Sequence, residues 1–217
     1  MTTPWMVEPE WKGETAAILA SGPSMTRAQA EAVRGKCRVI AVNNQGIDTD
    51  CDGAMVPALA PWADILYAAD TKWWRYYHER ALKFEGRKVT IRDTLPWREV
   101  YSLKQSVDHA SFDPRPTHLV SGGNSGYQAV HLAVHLGVKR VILLGFDMKN
   151  GRNGRRHWFG DHPGRLKAHG AYAGWHRAFD KFAKVLDHMN IEVLNCTPEP
   201  ALRCFRRTPL EVAIRGL

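Results

Sequence analysis

With 217 residues, 44% of them hydrophobic and 24% charged, the chain has the make-up of an ordinary globular domain with room for one sizeable core. No apolar run approaches the roughly 18 to 20 residues that cross a bilayer, and the opening MTTPWMVEPEWKGE lacks a basic-then-apolar leader, so no membrane span and a cytoplasmic location are expected. A formal net charge of +8 and a pI near 9.5 point to a phosphorylated or polyanionic partner, because a basic field concentrates anions.

In chain order, strand and helix patterns alternate, which predicts a single α/β domain over 1–217: Rossmann-like, with a mostly parallel sheet and helices on both faces. The first strand spans Thr15 to Ala20 and ends in the turn Ser21-Gly22-Pro23-Ser24, before a short helix through Gln29 to Val33. The second, Arg38 to Val42, ends in Asn43-Asn44-Gln45-Gly46, residue types that favour a turn. A third, Ile65 to Ala69, ends in Asp70 and leads into a helix carrying Trp73, Trp74, Tyr76 and Tyr77; these aromatics read as core and helix interface, with stacking on a ligand as the alternative. A fourth strand covers Lys88 to Ile91, and the Pro- and charge-bearing stretch 93–118 after it reads as an insertion or lid.

The strongest local signal is Ser121-Gly122-Gly123-Asn124-Ser125-Gly126, a glycine turn feeding a helix from Tyr127 to Leu136, with Gly137 as its C-cap. The strand Val141 to Leu144 then ends in Gly145-Phe146-Asp147-Met148, followed by a basic loop, a helix from Ala171 to Met189 and a last strand from Ile191 to Asn195. The loop, 149–167, carries Lys149, Arg152, Arg155, Arg156, Arg165 and Lys167 against one acid, Asp161.

Backbone N–H groups and hydroxyls of the turns after parallel strands point to the carboxyl edge of the sheet, where an anion or ribose docks. Taken alone, Ser21 to Ser24 also reads as a plain N-cap, and Gly122 to Gly126 as a flexible loop plus cap. Together the turns look like one site, with Asn43 and Asn44 placed for ribose or base and Asn124 and Ser125 for base or phosphate. Neither G-x-G-x-x-G nor the P-loop pattern occurs, which disfavours classical NAD and Walker-type sites. In His157-Trp158-Phe159-Gly160-Asp161-His162 two histidines, an acid and aromatics sit among arginines, a composition suited to a general base beside a leaving phosphate. His131 and His135 have the spacing of paired metal ligands but no third ligand, and an exposed helix face is expected for them. The scattered cysteines, Cys37, Cys51, Cys196 and Cys204, read as free thiols, with Cys37 and Cys196 buried.

On these residues the chain resembles, over about Ala16 to Leu202, the superfamily of Campylobacter-type bacterial sialyltransferases, motility accessory factor proteins and archaeal-type 6-hydroxymethylpterin diphosphokinases. The order Ser125-Gly126, helix, Leu136-Gly137-Val138-Lys139, strand and Gly145-Phe146-Asp147 carries the resemblance best. In the sialyltransferase branch it implies that Ser21-Gly22-Pro23-Ser24, Asn44-Gln45 and Ser125-Gly126 hold a cytidine nucleotide and that His162 is the catalytic base, with Asp161 beside it. The branch's phosphate-contacting tyrosines have no clear counterparts after the Gly-x-Asp strand; Lys149, Arg152, Arg155 and Arg156 stand there instead.

The leading expectation is therefore a glycosyltransferase moving a sugar from a nucleotide-activated donor, a CMP-sugar in preference, to a hydroxyl acceptor without a cofactor. Its nucleotide set is Ser21, Gly22, Ser24, Asn43, Asn44, Asp70, Asn124, Ser125, Gly126 and Asp147. The alternative is an ATP-dependent diphosphokinase of the pterin type with Mg²⁺ near Asp70. A third reading, a non-catalytic nucleic-acid-binding accessory protein, follows from the charge.

Overall fold

The computed structural model describes residues 1–51, 53–107, 111–152, 154–166 and 171–217. Nine strands form its main sheet: β1 Thr3–Pro4, β2 Thr15–Leu19, β3 Arg38–Val42, β4 Ile65–Tyr67, β5 Arg87–Thr90, β6 Val100–Ser102, β7 Arg140–Leu144, β8 Glu192–Asn195 and β9 Arg206–Arg207. Their order across the sheet is β1-β6-β5-β4-β3-β2-β7-β8-β9, and every neighbouring pair is parallel. From β2 the chain winds outward through β3, β4, β5 and β6, then returns to the other side of β2 for β7 and β8. The order therefore reverses between β2 and β7, the place where an open α/β sheet leaves a crevice.

The strands read as near-continuous apolar runs because both faces are covered. On β2, Ala16 and Ile18 pack toward helices α3 (Ser125–His135) and α4 (Tyr172–His188), among Leu132, Phe179 and Phe182. Ala17 and Leu19 point the other way, toward α1 (Arg27–Val33), α2 (Thr71–Leu82) and α5 (Leu210–Ala213), with Ala30, Trp74 and Ala213. Helix starts are fixed locally. Thr26 and Gln29 form a reciprocal capping box on α1, Asp70 caps α2 by accepting from Lys72 N at 2.9 Å, and Asn124 caps α3 by accepting from Tyr127 N at 2.9 Å.

One expectation is corrected here, and the stretch 93–118 is placed. The stretch 93–118, read as an insertion or lid, is in part framework: β6 extends the main sheet, and Lys104–Gln105 pairs with His118–Leu119 beside it; residues 108–110 lie outside the described set. His131 and His135 are not on an exposed face. His131 is fully buried, accepting from Val120 N at Nδ1 (3.1 Å) and bonding through Nε2 to the Asp113 carbonyl (3.1 Å), with Phe112 and Phe182 against it. His135 is half-buried and bonds to the His118 carbonyl at 3.0 Å. Alternation along a helix buried nearly all round does not separate an outer face from an inner one.

Burial, reinforced by His135, pushes His131 down to about 3, so it is neutral in the folded protein. The unfolded chain protonates this histidine near 6.5, hence binds more protons than the folded state below that pH, and stability falls as the pH drops. In urea titrations His131 should account for a loss of about 2 kcal/mol between pH 7 and pH 5. His131→Gln, which offers the same donor and acceptor without titrating, should show a shallower pH dependence; an unchanged slope would contradict the assignment.

Candidate active site

At the switch point the turns after β2 and β7 cross at backbone distance. Ala20 N donates to Leu144 O at 2.8 Å and Gly22 N to Gly145 O at 3.0 Å. A Cβ on Gly22 would lie 2.0 Å from the Asp147 carboxylate and 2.3 Å from the Gly145 carbonyl; one on Gly145, whose φ is +71°, would lie 2.3 Å from the Ala20 carbonyl. The two glycines are required by that approach rather than by turn chemistry alone. Beyond the crossing, Ser24 donates to Asp147 Oδ2 from Oγ (3.0 Å) and from N (3.4 Å). Burial raises the Asp147 pKa, and the Ser24 bonds oppose it.

These turns form one wall of a cavity of about 280 Å³, near the lower end of small-molecule pockets. Asn43, with φ +55°, lines it after β3, and Asp70 and Trp73 line it after β4. Opposite lies the start of α3, where Gly123, Asn124, Ser125 and Gly126 face the cavity with the positive end of a helix. Asn124 spends Oδ1 on its cap, and its Nδ2 is buried without a partner among the described residues, a donor left for a ligand.

The basic loop closes the remaining side. Lys149 and Arg156 line the cavity, with Arg156 held by Asp161 at 3.4 Å. His157 stacks on Phe159 (5.1 Å, 9°), sits 4.7 Å from His162 ring to ring, and bonds to the Ser21 backbone, while Trp158 N donates to Ser21 O at 3.2 Å. The loop is thereby tied to the β2 turn. Burial, then His157 and Arg156, push His162 down to about 3, and its Nδ1 has no partner among the described residues. At neutral pH His162 is therefore an unprotonated imidazole.

Of the residues expected from sequence, Ser21, Gly22, Asn43, Asp70, Asn124, Ser125, Gly126, Asp147, Lys149, Arg156 and His162 come together around this cavity. The others do not. Asn44 is fully buried behind the wall, donating to Thr49 Oγ1 at 2.7 Å and accepting from the Trp73 indole at 2.8 Å, so it holds an aromatic wall residue instead of facing the cavity. Ser24 faces Asp147, Asp161 is exposed and faces Arg156, and Arg152 and Arg155 are exposed outside the lining. Lys167 lies outside the described residues. Sequence reasoning missed Tyr172 and Trp175 as lining residues and favoured core packing for Trp73, which is buried but also lines the cavity. Tyr172 and Trp175, one turn apart at the start of α4, are an i, i+3 aromatic pair directly after a basic loop, and that spacing was the available signal.

Among the described residues no group of three or more potential His, Cys, Asp or Glu ligands is gathered, and no helix is long and apolar enough to cross a membrane. The sequence matches no family model and no curated protein. The structure does have a likeness: the sialyltransferase CstII from Campylobacter jejuni, solved in complex with the substrate analogue cytidine-5'-monophosphate, superposes with a TM-score of 0.56 at 14% identity, covering 92% of this chain and 86% of that one. The chain has a sialyltransferase-like fold. Its large parallel sheet with helices on both faces is shared over nearly the whole length of both proteins.

Gly22→Ala should destabilise the chain by about 3 kcal/mol, the upper end of overpacking costs, because the contacted atoms are a backbone carbonyl and a buried carboxylate. Gly174→Ala, with open space around it in α4, should be neutral or slightly stabilising. Denaturant unfolding of the two variants checks this, and equal midpoints would contradict the crossing geometry.

Proposed function

We propose that the chain is a nucleotide-dependent transferase that moves a sugar from a nucleotide-activated donor, a CMP-sugar in preference, to a hydroxyl acceptor. The observation that carries the reading is the half-buried His162, its enclosed Nδ1 without a partner among the described residues, in the same cavity as a Gly/Ser/Asn cradle and two cations. The nucleotide would lie against Ser21, Gly22, Asn43, Asn124 and Ser125, with its phosphate toward Lys149 and Arg156; Tyr172 stands in the same lining, its hydroxyl donating to Asn150 Oδ1 at 2.9 Å. His162 would take the proton of the acceptor hydroxyl as that oxygen bonds to the anomeric carbon. The bond from that carbon to the phosphate oxygen breaks, the electron pair leaves with the nucleotide, and the cations meet the charge. The fold shared with a CMP-bound sialyltransferase supports cytidine as the base.

A second reading, an ATP- and Mg²⁺-dependent diphosphokinase, draws support from Asp70 and Asp147, which line one cavity. Ser24 engages Asp147 through Oδ2 and the Lys72 amide engages Asp70 through Oδ1, so one oxygen of each would remain for a metal-bound phosphate.

A thermal-shift panel of CMP, UDP, ADP and ATP, each with and without Mg²⁺, separates the two. Stabilisation by CMP without metal is expected; stabilisation by ATP only with metal would favour the diphosphokinase. His162→Ala should lower turnover by about 10²–10⁴-fold, the usual contribution of a positioned base, while CMP binding is retained; unchanged turnover would remove His162 from the mechanism. Because the free protein holds His162 neutral down to about 3, kcat/KM should stay flat through pH 6.5, where an ordinary histidine base is half protonated. An acid limb centred between about pH 6 and 7 would contradict a buried, neutral base.

A further inference from the structure

Basic residues divide by where they sit on the sheet. At the amino edge, where the parallel strands begin, the strand-start arginines are paired, Arg38 with Glu14 (2.8 Å) and Asp64 (3.5 Å), Arg87 with Glu10 (3.2 Å), and Arg140 and Arg206 both with Glu192 (2.6 and 3.3 Å), while the lysines there, Lys12, Lys36 and Lys139, make no ion pair among the described residues. At the carboxyl edge, around the cavity mouth, Arg156 is paired with Asp161, but among the described residues the other arginines there are not. Lys72 stands in the first turn of α2, two residues after the lining Asp70, and Arg92 donates from Nε to the Ala69 carbonyl at 3.0 Å. Lys149 lines the cavity, while Arg152 and Arg155 are exposed on the turn closed by Gly151 N to Arg155 O at 2.8 Å. None of these five makes an ion pair among the described residues.

A nucleotide in a cavity of about 280 Å³ reaches Lys149 and Arg156 but leaves Lys72, Arg92, Arg152 and Arg155 unused outside the lining. Like charges gathered on one edge of a chain of net charge +8 repel each other, and a polyanion lying across that edge relieves the repulsion. Aromatic side chains are interleaved with the cations. Tyr76 is 48% exposed and follows Lys72 by four and Arg75 by one, sharing the outer face of α2 with them, while Trp175 stands half-buried on the far side of the mouth. A plain polyanion gains nothing from such rings, whereas unpaired bases stack on them.

We propose that the rim of the cavity is a docking surface for single-stranded nucleic acid, crossing from the N-terminal turn of α2 to the 149–156 loop. Read as the acceptor, the nucleic acid rests on the transferase proposal above; as a bound partner, it does not. The test is fluorescence anisotropy of the full chain with a labelled oligonucleotide of about 20 nucleotides, longer than the roughly 4–16 that single-strand folds cover. Binding is expected at low salt, weakening with a log–log slope of about −0.7 per phosphate neutralised. The triple variant Lys72→Gln, Arg152→Gln, Arg155→Gln should bind at least tenfold more weakly and flatten the slope by about 2. Lys12→Gln with Lys36→Gln, both exposed toward the amino edge, should leave binding unchanged. No binding at low salt, a triple variant equal to the parent, or displacement by polyglutamate as readily as by unlabelled oligonucleotide would each overturn the proposal. CMP titrated calorimetrically into the same samples keeps the two ideas apart. Oligonucleotide binding without CMP binding supports the surface and contradicts the transfer reading, whereas CMP binding without oligonucleotide binding overturns the surface alone.

Discussion

The crossing of the β2 and β7 turns builds one wall of the candidate site and anchors the loop that closes it. Two backbone hydrogen bonds, Ala20 N to Leu144 O and Gly22 N to Gly145 O, bring the turns so close that neither Gly22 nor Gly145 has space for a Cβ. The crossing sits where strand order reverses, so chain leaving the two strands diverges to opposite sides and opens a crevice. Asp147, carried past the crossing, is satisfied by Ser24 from the other turn, and Trp158 N reaches back to Ser21 O. The cavity floor and the basic loop are therefore tied to the same few backbone atoms. A cradle built on strand ends holds its geometry better than one built on loops alone.

Electrostatically, the molecule has two different edges. Arginines at the amino edge are matched by carboxylates on neighbouring strands, while the carboxyl edge gathers cations around a cavity whose histidines stay neutral through burial. A neutral imidazole beside Arg156 and Lys149 is a coherent arrangement. The cations would meet an anionic ligand, and together with burial they keep the ring unprotonated at neutral pH, the state the proposed base requires.

Much of the fold was legible in the sequence, because parallel strands covered on both faces appear as short apolar runs. β2, β3, β7 and β8 were located to within a residue at each end. The glycine turns and the order Ser-Gly, helix, Leu-Gly, strand, Gly-x-Asp also marked most of the cavity wall. What failed did so for physical reasons. Asn43 and Asn44 are indistinguishable as turn residues, yet one adopts φ +55° and faces the cavity while the other turns inward to the Trp73 indole. β6 contains only three residues within a stretch rich in proline and charge, too short to show a period. Arg152, Arg155 and Arg156 are alike in sequence, and only the turn closed by Gly151 and Arg155 decides which of them points inward. Tyr172 and Trp175 enter the site from the start of α4, where their i, i+3 spacing marks an aromatic pair but not the cavity it faces.

The most direct test of the central claim is a crystal structure of the chain soaked with CMP. The account expects the nucleotide in the crevice between the β2 and β7 turns, with its ribose and base against Ser21, Asn43 and Asn124 and its phosphate between Lys149 and Arg156, on the side of His162. An empty crevice at saturating CMP, or nucleotide bound elsewhere on the molecule, would contradict it.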